Sequence, residues 1–263
     1  WEARKKEEDW VFQKPADALA KKTQVEDILR ALADLKAKEF VSEQKQEEDL
    51  KKCGLKDPEY VISLALPVKN QNIGCSLHKD GDNVYATTSL SSKIISVDGQ
   101  ALASLEKKEE DLRDKQVVAF NSWQAVRLQL KAGPVAFTLS KDKDEKWSFD
   151  RAGKGEADNS RVETFLRKIE SLEAAAFIDS PKALQEYGLA WPQAEVTVWT
   201  NEDGKEKKSQ VLIGTEDKAK KQVVVKNPKW RYLFLVDSSF LTDFPKEEKD
   251  WKATKPEERK SPD

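Results

Sequence analysis

Residues 23–40 read TQVEDILRALADLKAKEF, and residues 160–177 read SRVETFLRKIESLEAAAF, aligned without a gap. In both stretches apolar residues recur every three or four positions, which predicts an amphipathic helix with one buried face. The apolar positions are Val25, Ile28, Leu29, Leu32 and Leu35 in the first stretch and Val162, Phe165, Leu166, Ile169 and Leu172 in the second. This similarity indicates an internal repeat.

Shorter matches follow in the same order along the chain, with offsets that drift as loop lengths change. They are Trp10-Val-Phe12 with Trp147-Ser-Phe149, Cys53-Gly-Leu55 with Tyr187-Gly-Leu189, Ile73-Gly74 with Ile213-Gly214, and Val97-Asp98 with Val236-Asp237. Thr23 and Ser160 each stand three residues before a Glu, a spacing that predicts a capping box at both helix starts. The ordered series predicts two homologous modules in tandem.

Alternating apolar residues predict strands between these motifs. The clearest are Tyr60–Leu66, Ile94–Val97, Gln222–Val225 and Tyr232–Val236, together with a hairpin of Val126–Leu130 and Val135–Leu139 around Gly133-Pro134. We therefore expect an α+β fold. Each module should combine a capped amphipathic helix, an antiparallel sheet of about four to six strands, and a second short helix after Asp98 or Asp237.

The repeat also sets the expected domain limits. We predict a first module over residues 1–119, a second over 120–250, and a disordered tail over 251–263, which is rich in Lys, Glu and Pro. The chain begins at Trp1 and contains no Met. We therefore expect that an N-terminal segment is missing and that any membrane anchor lies there.

The charge composition narrows the partner classes. The chain carries 46 basic and 48 acidic residues, a balance that argues against nucleic acid as a partner. His78 is the single histidine, and alternation places it on the strand face opposite Cys75, which argues against a Cys–His dyad and predicts a solvent-facing imidazole. We predict no catalytic residues, no metal site and no cofactor. Cys53 and Cys75 could form a disulfide, or remain two partly buried thiols.

Tryptophan is the residue type most suggestive of binding. Trp10 and Trp147 occupy matched positions and are predicted to lie in the cores. Four others lack an aromatic counterpart in the other copy and are candidate partner-facing residues, although packing between modules would also explain them: Trp123, Trp191, Trp199 and Trp230. Trp199 follows inward-facing Val198, so alternation points it outward.

The repeat unit resembles a known bacterial family. Its helix ending in Leu-x-Ala-x-x-Phe, its Gly-Leu-x-x-Pro turn, its Val-Asp helix start and Leu-Arg-Asp-Lys at 112–115 are similar to the "domain of unknown function" family numbered 4340. The resemblance implies an extracytoplasmic repeat region on an N-terminal membrane anchor. It also implies association with ABC-2-type transporters of the gliding-motility auxiliary kind, and it supplies no catalytic residues.

Two classes of function follow. The first is a non-catalytic extracytoplasmic interaction or scaffold protein, an accessory component whose partners are the membrane subunits of an ABC transporter. The second is an envelope glycan-binding protein or hydrolase that uses exposed Trp residues and carboxylates. Tryptophan fluorescence in the presence of glycans would separate the two.

Overall fold

The computed structural model describes residues 1–14, 17–151 and 155–254. The chain divides into two compact units. The first is Trp1–Phe12 with Leu19–Arg113, and the second is Gln13–Ala18 with the chain from Asp114 onward. Antiparallel strands dominate the described residues and helices are few, which confirms the predicted α+β class.

Up to Arg113, eight strands and three α-helices occur in the described residues. They are β1 Glu2–Lys6, β2 Asp9–Lys14, β3 Ala18–Ala20, α1 Lys22–Ala33, β4 Ala37–Ser42, α2 Glu47–Lys52, β5 Tyr60–Leu66, β6 Gln71–Asp80, β7 Asn83–Thr88, β8 Ile94–Val97 and α3 Glu109–Leu112. Strands β1, β2 and β3 form one sheet in that order. A five-stranded sheet has the order β4-β8-β7-β6-β5.

The five-stranded sheet has apolar side chains on both faces. On one face, Leu77, Val84 and Ala86 form a core with Leu35 and with the 3₁₀ helix at Gly99–Ser104. On the other face a separate cluster contains Cys53, Leu55 and Ile94, with Tyr85 packed against it. The two faces follow from strand alternation, since Tyr85 lies between Val84 and Ala86 on β7.

From Asp114 onward, the described residues contain one α-helix and eight strands, which form a single sheet. The elements are β9 Ala125–Ala132, β10 Val135–Lys141, β11 Trp147–Phe149, α4 Asn159–Glu170, β12 Ala176–Ile178, β13 Ala194–Glu202, β14 Lys205–Asp217, β15 Gln222–Lys226 and β16 Leu233–Asp237. The sheet order is β11-β10-β9-β13-β14-β15-β16-β12, antiparallel throughout. The predicted hairpin is therefore β9–β10, which turns at Gly133-Pro134.

Helix α4 has the buried face that its sequence predicts. Val162, Phe165, Leu166 and Ile169 are all less than 4% exposed. In α1, Val25 and Ile28 are buried, whereas Leu29 and Leu32, and Leu35 just after the helix, are half-buried. Within the described residues, no helix combines the length and apolar character needed to cross a bilayer.

The capping boxes predicted at Thr23 and Ser160 are wrong. Helix α1 follows Lys21, which makes no side-chain cap, and α4 follows Asp158. The Asp158 carboxylate accepts a hydrogen bond from the Arg161 N–H at 3.1 Å, the contact of an N-cap. Both helices therefore begin two residues earlier than the sequence pattern predicts.

Long-range backbone hydrogen bonds explain the earlier starts. The Lys21 N–H donates to the Leu112 carbonyl at 2.7 Å, and the Asp158 N–H donates to the Trp251 carbonyl at 2.9 Å. Each bond fixes the residue that precedes its helix, and the helix then starts immediately after that residue.

Trp251 contradicts the predicted start of a disordered tail. It closes a 3₁₀ helix at Glu248–Trp251, and its side chain is 1% exposed. Its ring packs against Phe137 and Phe165, with ring centroids 5.3 and 5.1 Å apart. The predicted tail over residues 255–263 lies outside the described residues.

Ile73-Gly74 and Ile213-Gly214, which the sequence matches, have different strand pairings. Ile213 pairs with Ala194 on one side and with Val225 on the other. Ala194 is the first residue of β13, whereas the residue of β6 that pairs with Tyr60, the first residue of β5, is Leu77. Ile73 lies four residues further towards the start of its strand.

Candidate interaction surface

The four tryptophans singled out by the sequence lie in two kinds of environment. Trp123, in a 3₁₀ turn just before β9, and Trp191, in the loop before β13, are each 84% exposed. Trp199 and Trp230 are half-buried. Large exposed aromatic side chains are typical of binding surfaces, so Trp123 and Trp191 are the stronger candidates of the four.

Trp199 lies on β13 with its side chain on the face opposite buried Val198, as alternation predicts. The strand register places Arg127 of β9 on one side of it and Lys208 of β14 on the other. The Arg127 guanidinium lies 5.5 Å from the ring centroid, and the Lys208 ammonium lies 5.9 Å away. These distances allow cation–π attraction, so the Trp199 ring is flanked by positive charge.

Trp230 is held by the turn that carries it. Its ring stacks on Tyr232 with centroids 5.8 Å apart and an interplanar angle of 23°. Buried Asn227 anchors the turn, since its side-chain amide donates to the Val117 carbonyl at 2.9 Å. The Lys226 ammonium donates to the Trp230 carbonyl at 2.7 Å, and burial lowers the pKa of Lys226. Trp230 is therefore part of a rigid turn.

The strand register shows which of these tryptophans lie together. Trp123 precedes Ala125, which pairs with Thr200, the neighbour of Trp199. Trp191 instead precedes Ala194, at the opposite end of β13. Six residue steps separate Ala194 from Thr200, a distance of about 20 Å. The structure thus brings Trp123 to the same end of the sheet as Trp199 and leaves Trp191 at the other end.

The two cysteines are free and buried, so the disulfide considered from the sequence is not formed. Cys75 belongs to the cluster with Leu77 on one face of the five-stranded sheet. Cys53 belongs to the cluster with Ile94 on the other face. The sheet itself lies between the two thiols, which explains why they are unpaired.

The free thiols give a direct prediction. When the chain is unfolded without reductant, two thiols per chain should react with a thiol reagent, one from each cysteine. In the folded chain both should react slowly with iodoacetamide, because burial raises the pKa of both thiols and leaves little thiolate. Mass spectrometry before and after unfolding measures both quantities. An unfolded chain without free thiols would contradict the structure.

His78 lies on the face opposite Cys75, as predicted, but it does not face solvent. Its imidazole covers Gly54, where an added Cβ would lie 2.1 Å from the His78 Cδ2. The side chain is half-buried against the turn that follows α2. Strand alternation predicted the correct face for His78. The prediction of a solvent-facing imidazole is wrong because the turn after α2 covers this face.

A cleft of about 550 Å³, which no sequence motif predicted, lies beside α4 in the second unit. Several of its polar groups make structural contacts. The Lys168 ammonium binds the Asp243 carboxylate at 2.5 Å, and the Asp250 carboxylate accepts from the backbone N–H of Glu247 at 2.9 Å. Arg161 donates to the Asp250 carbonyl. These groups hold the segment before Trp251 against the helix.

The residues that the structure describes contain no group of three or more His, Cys, Asp or Glu side chains placed to hold a metal ion. The fold and the exposed residues thus define an α+β protein, mainly antiparallel, that presents tryptophans on its surface.

The chain belongs to the family described as domain of unknown function (DUF4340), whose model matches residues 10–182 and again residues 147–261. This match confirms the resemblance found in the sequence, and the two overlapping matches are consistent with a tandem repeat. No curated protein and no solved structure matches the chain.

Proposed function

We propose that this chain is a non-catalytic interaction protein made of two copies of one module, which acts outside the cytoplasm as an accessory component of an ABC-2-type transporter assembly. The transporter part rests on what the sequence resemblance to this family implies, since the family that matches is described as a domain of unknown function. The observation that carries the interaction part is the 84% exposure of Trp123 and Trp191.

The strand orders support the duplicated module. In the first unit the order is β4-β8-β7-β6-β5, and part of the second sheet has the order β12-β16-β15-β14-β13. In chain sequence each series is a helix, a strand, and then four consecutive antiparallel strands. The strand order of the five-stranded sheet therefore recurs in this part of the second sheet.

The contacts at the helix starts support it as well. Lys21 and Asp158 both donate a backbone N–H to the carbonyl of a buried residue from the end of their own unit, Leu112 and Trp251 respectively. The residue that follows each acceptor pairs with the residue just before Lys21 or Asp158, in the bridges Ala20–Arg113 and Ala157–Lys252. A shared arrangement of this kind is expected of copies of one module.

The surface of the second module supports binding rather than chemistry. Trp123 and Trp191 present large, rigid apolar area at low entropic cost, a property enriched at protein interfaces. The carboxylates beside the cleft, such as Asp158 and Asp243, cap a helix and pair with a lysine. Their roles are structural.

Alanine variants test the proposal. Trp123→Ala and Trp191→Ala should each leave the free energy of unfolding within about 0.5 kcal/mol of the parent, because these side chains are exposed. At least one should reduce co-purification with transporter membrane subunits by about tenfold, the effect of losing an interface anchor. Leu90→Ala, at a residue 61% exposed in the first unit, is the matched control. Recovery of the same subunits by all three variants would contradict the proposal.

Glycan binding is a second candidate, because an exposed indole such as Trp123 can also stack on a sugar ring. Glycan fragments of the envelope should then quench tryptophan fluorescence, and Trp123→Ala should remove the response. Quenching of the purified chain by glycan, with no transporter subunit present, would favour glycan binding over the transporter role.

A further inference from the structure

The outward face of the eight-stranded sheet places Trp199 between two cations. Trp199 lies on β13, with Arg127 opposite it on β9 and Lys208 opposite it on β14. Both cationic residues are exposed, and their charged groups lie 5.5 and 5.9 Å from the indole centroid. Because β13 separates β9 from β14, the backbones that carry the two charges lie about 10 Å apart, two strand spacings.

The two cations are not neutralised by carboxylates of the chain. Within the residues that the structure describes, neither Arg127 nor Lys208 forms an ion pair or a side-chain hydrogen bond. Lys131 lies on the same face of β9 and binds Glu195 at 3.2 Å, so this acidic residue already has a cationic partner. Glu206 also lies on this face, two residues from Lys208 on β14. Arg127 and Lys208 are therefore available to an anionic ligand.

Uncharged polar side chains lie beside the cations. Thr197 lies two residues before Trp199 and therefore on the same face of β13. Gln129 of β9 and Gln210 of β14 lie opposite Thr197, and Thr138 of β10 lies opposite Gln129. The two glutamines are half-buried, so part of each side chain is accessible. Side-chain amides both donate and accept hydrogen bonds, which suits them to the hydroxyl groups of a sugar.

We propose that this face, which we call the Trp199 surface, binds an acidic polysaccharide whose sugars carry carboxylates. It consists of Arg127, Trp199, Lys208, Gln129 and Gln210. Carboxylates of the polymer bind the guanidinium and the ammonium, and its hydroxyl groups hydrogen-bond the two amides. A guanidinium can hold a carboxylate through two parallel hydrogen bonds. The indole contacts both cations and so keeps them on either side of β13.

Charge density distinguishes this ligand from other polyanions. Duplex DNA carries one negative charge per about 1.7 Å of its axis, and anionic membranes are recognised by clusters of about four to eight Lys and Arg residues. The Trp199 surface instead places Arg127 and Lys208 about 10 Å apart, and Glu206 lies beside them. This spacing suits a polymer with widely separated acid groups and many hydroxyl groups between them.

The position of the surface argues against an acidic peptide. Extended peptides bind by adding a strand to a sheet edge, and helical peptides lie in apolar grooves. Strands β9, β13 and β14 are interior strands of the sheet, each paired on both sides. Their outward side chains are therefore open to a ligand that lies across the strands and uses side-chain contacts alone.

Alginate, a polymer of uronic acids, is the probe, and neutral dextran is the comparison. In isothermal titration calorimetry the intact chain should bind alginate and not dextran. Arg127→Gln and Lys208→Gln should each weaken alginate binding at least about fivefold, because each removes a charge-assisted hydrogen bond. Lys205→Gln is the matched control, since it removes the same charge from an exposed residue on the opposite face of β14. Its affinity for alginate should stay within about twofold of the parent.

Two further variants test the arrangement of the surface. Glu206→Gln should strengthen alginate binding by about twofold, because it removes a like charge beside Lys208. Trp199→Ala should weaken binding, and Trp199→Phe should restore it, because a phenyl face also attracts cations.

Poly-aspartate tests whether an acidic peptide takes the place of the polysaccharide. The proposal is overturned if dextran binds as alginate does, if Lys208→Gln and Lys205→Gln bind alginate equally, or if poly-aspartate binds more tightly than alginate. Weaker alginate binding by Glu206→Gln would also contradict it.

The inference rests on the glycan-binding candidate, to which it adds a ligand class and a separate surface. It does not involve Trp123, so a Trp123→Ala chain should bind alginate as the parent does. Failure of alginate to bind would overturn the Trp199 surface alone. Absence of quenching by envelope glycans would overturn sugar stacking on Trp123 alone, and the co-purification experiment tests the transporter role separately.

Discussion

Replacing Trp251 with alanine is expected to lower the free energy of unfolding by about 3–5 kcal/mol, the cost of removing a fully buried aromatic side chain. The Trp251 ring is 1% exposed and contacts Phe137 and Phe165. Phe244 packs against Phe165 with centroids 5.2 Å apart, so the loss would leave a cavity in an aromatic cluster. Rigid rings on several sides limit how far the cavity can collapse.

Urea unfolding followed by circular dichroism measures this loss as a lower midpoint. Trp191→Ala is the matched control, since it removes an 84% exposed ring and should change stability by no more than about 0.5 kcal/mol. Trp251→Leu should cost less than Trp251→Ala because leucine retains more buried volume than alanine. A Trp251→Ala chain as stable as the control would place this residue outside the core.

Gly54→Ala is expected to be the second large effect. Gly54 has φ = +67°, a left-handed conformation that costs an L-residue about 1–2 kcal/mol. The new Cβ would also lie 2.1 Å from the His78 ring. Overpacking of this kind costs a further ~1–3 kcal/mol. Gly81→Ala isolates the first contribution, because Gly81 has φ = +60° and nothing within 4 Å of an added Cβ.

A His78→Ala background identifies the source of the clash. In that background, Gly54→Ala should cost only what Gly81→Ala costs, because the imidazole that meets the new Cβ is gone. Denaturant midpoints for the single and double variants supply the coupling energy. Equal costs of Gly54→Ala with and without His78 would show that the imidazole does not cover this glycine.

The sequence predicted those parts of the fold that depend on local periodicity. The stripe of α4 and the β9–β10 hairpin follow from spacing alone, because each needs only neighbours along the chain. The start of α4 did not follow, since Ser160 and Asp158 are both acceptable caps. The hydrogen bond from Asp158 to the Trp251 carbonyl selects between them, and this bond depends on tertiary structure.

The features of the candidate surface were likewise predictable only where they depend on local sequence. Alternation gave the correct face for Trp199, but Arg127 and Lys208 reach its ring only because of cross-strand register. A single tryptophan in a Lys- and Glu-rich stretch, such as Trp251, carries no periodic signal. Its burial depends on rings of β10 and α4 that are distant in sequence.

Amide hydrogen exchange in the intact chain, resolved residue by residue, compares β5 with β13 directly. In the described residues β13 lies between β9 and β14 and β5 pairs with β6, which predicts slow exchange along Ala194–Thr200 and alternating slow and fast exchange along Tyr60–Leu66. Uniform protection of both strands, or rapid exchange along β13, would contradict this strand order.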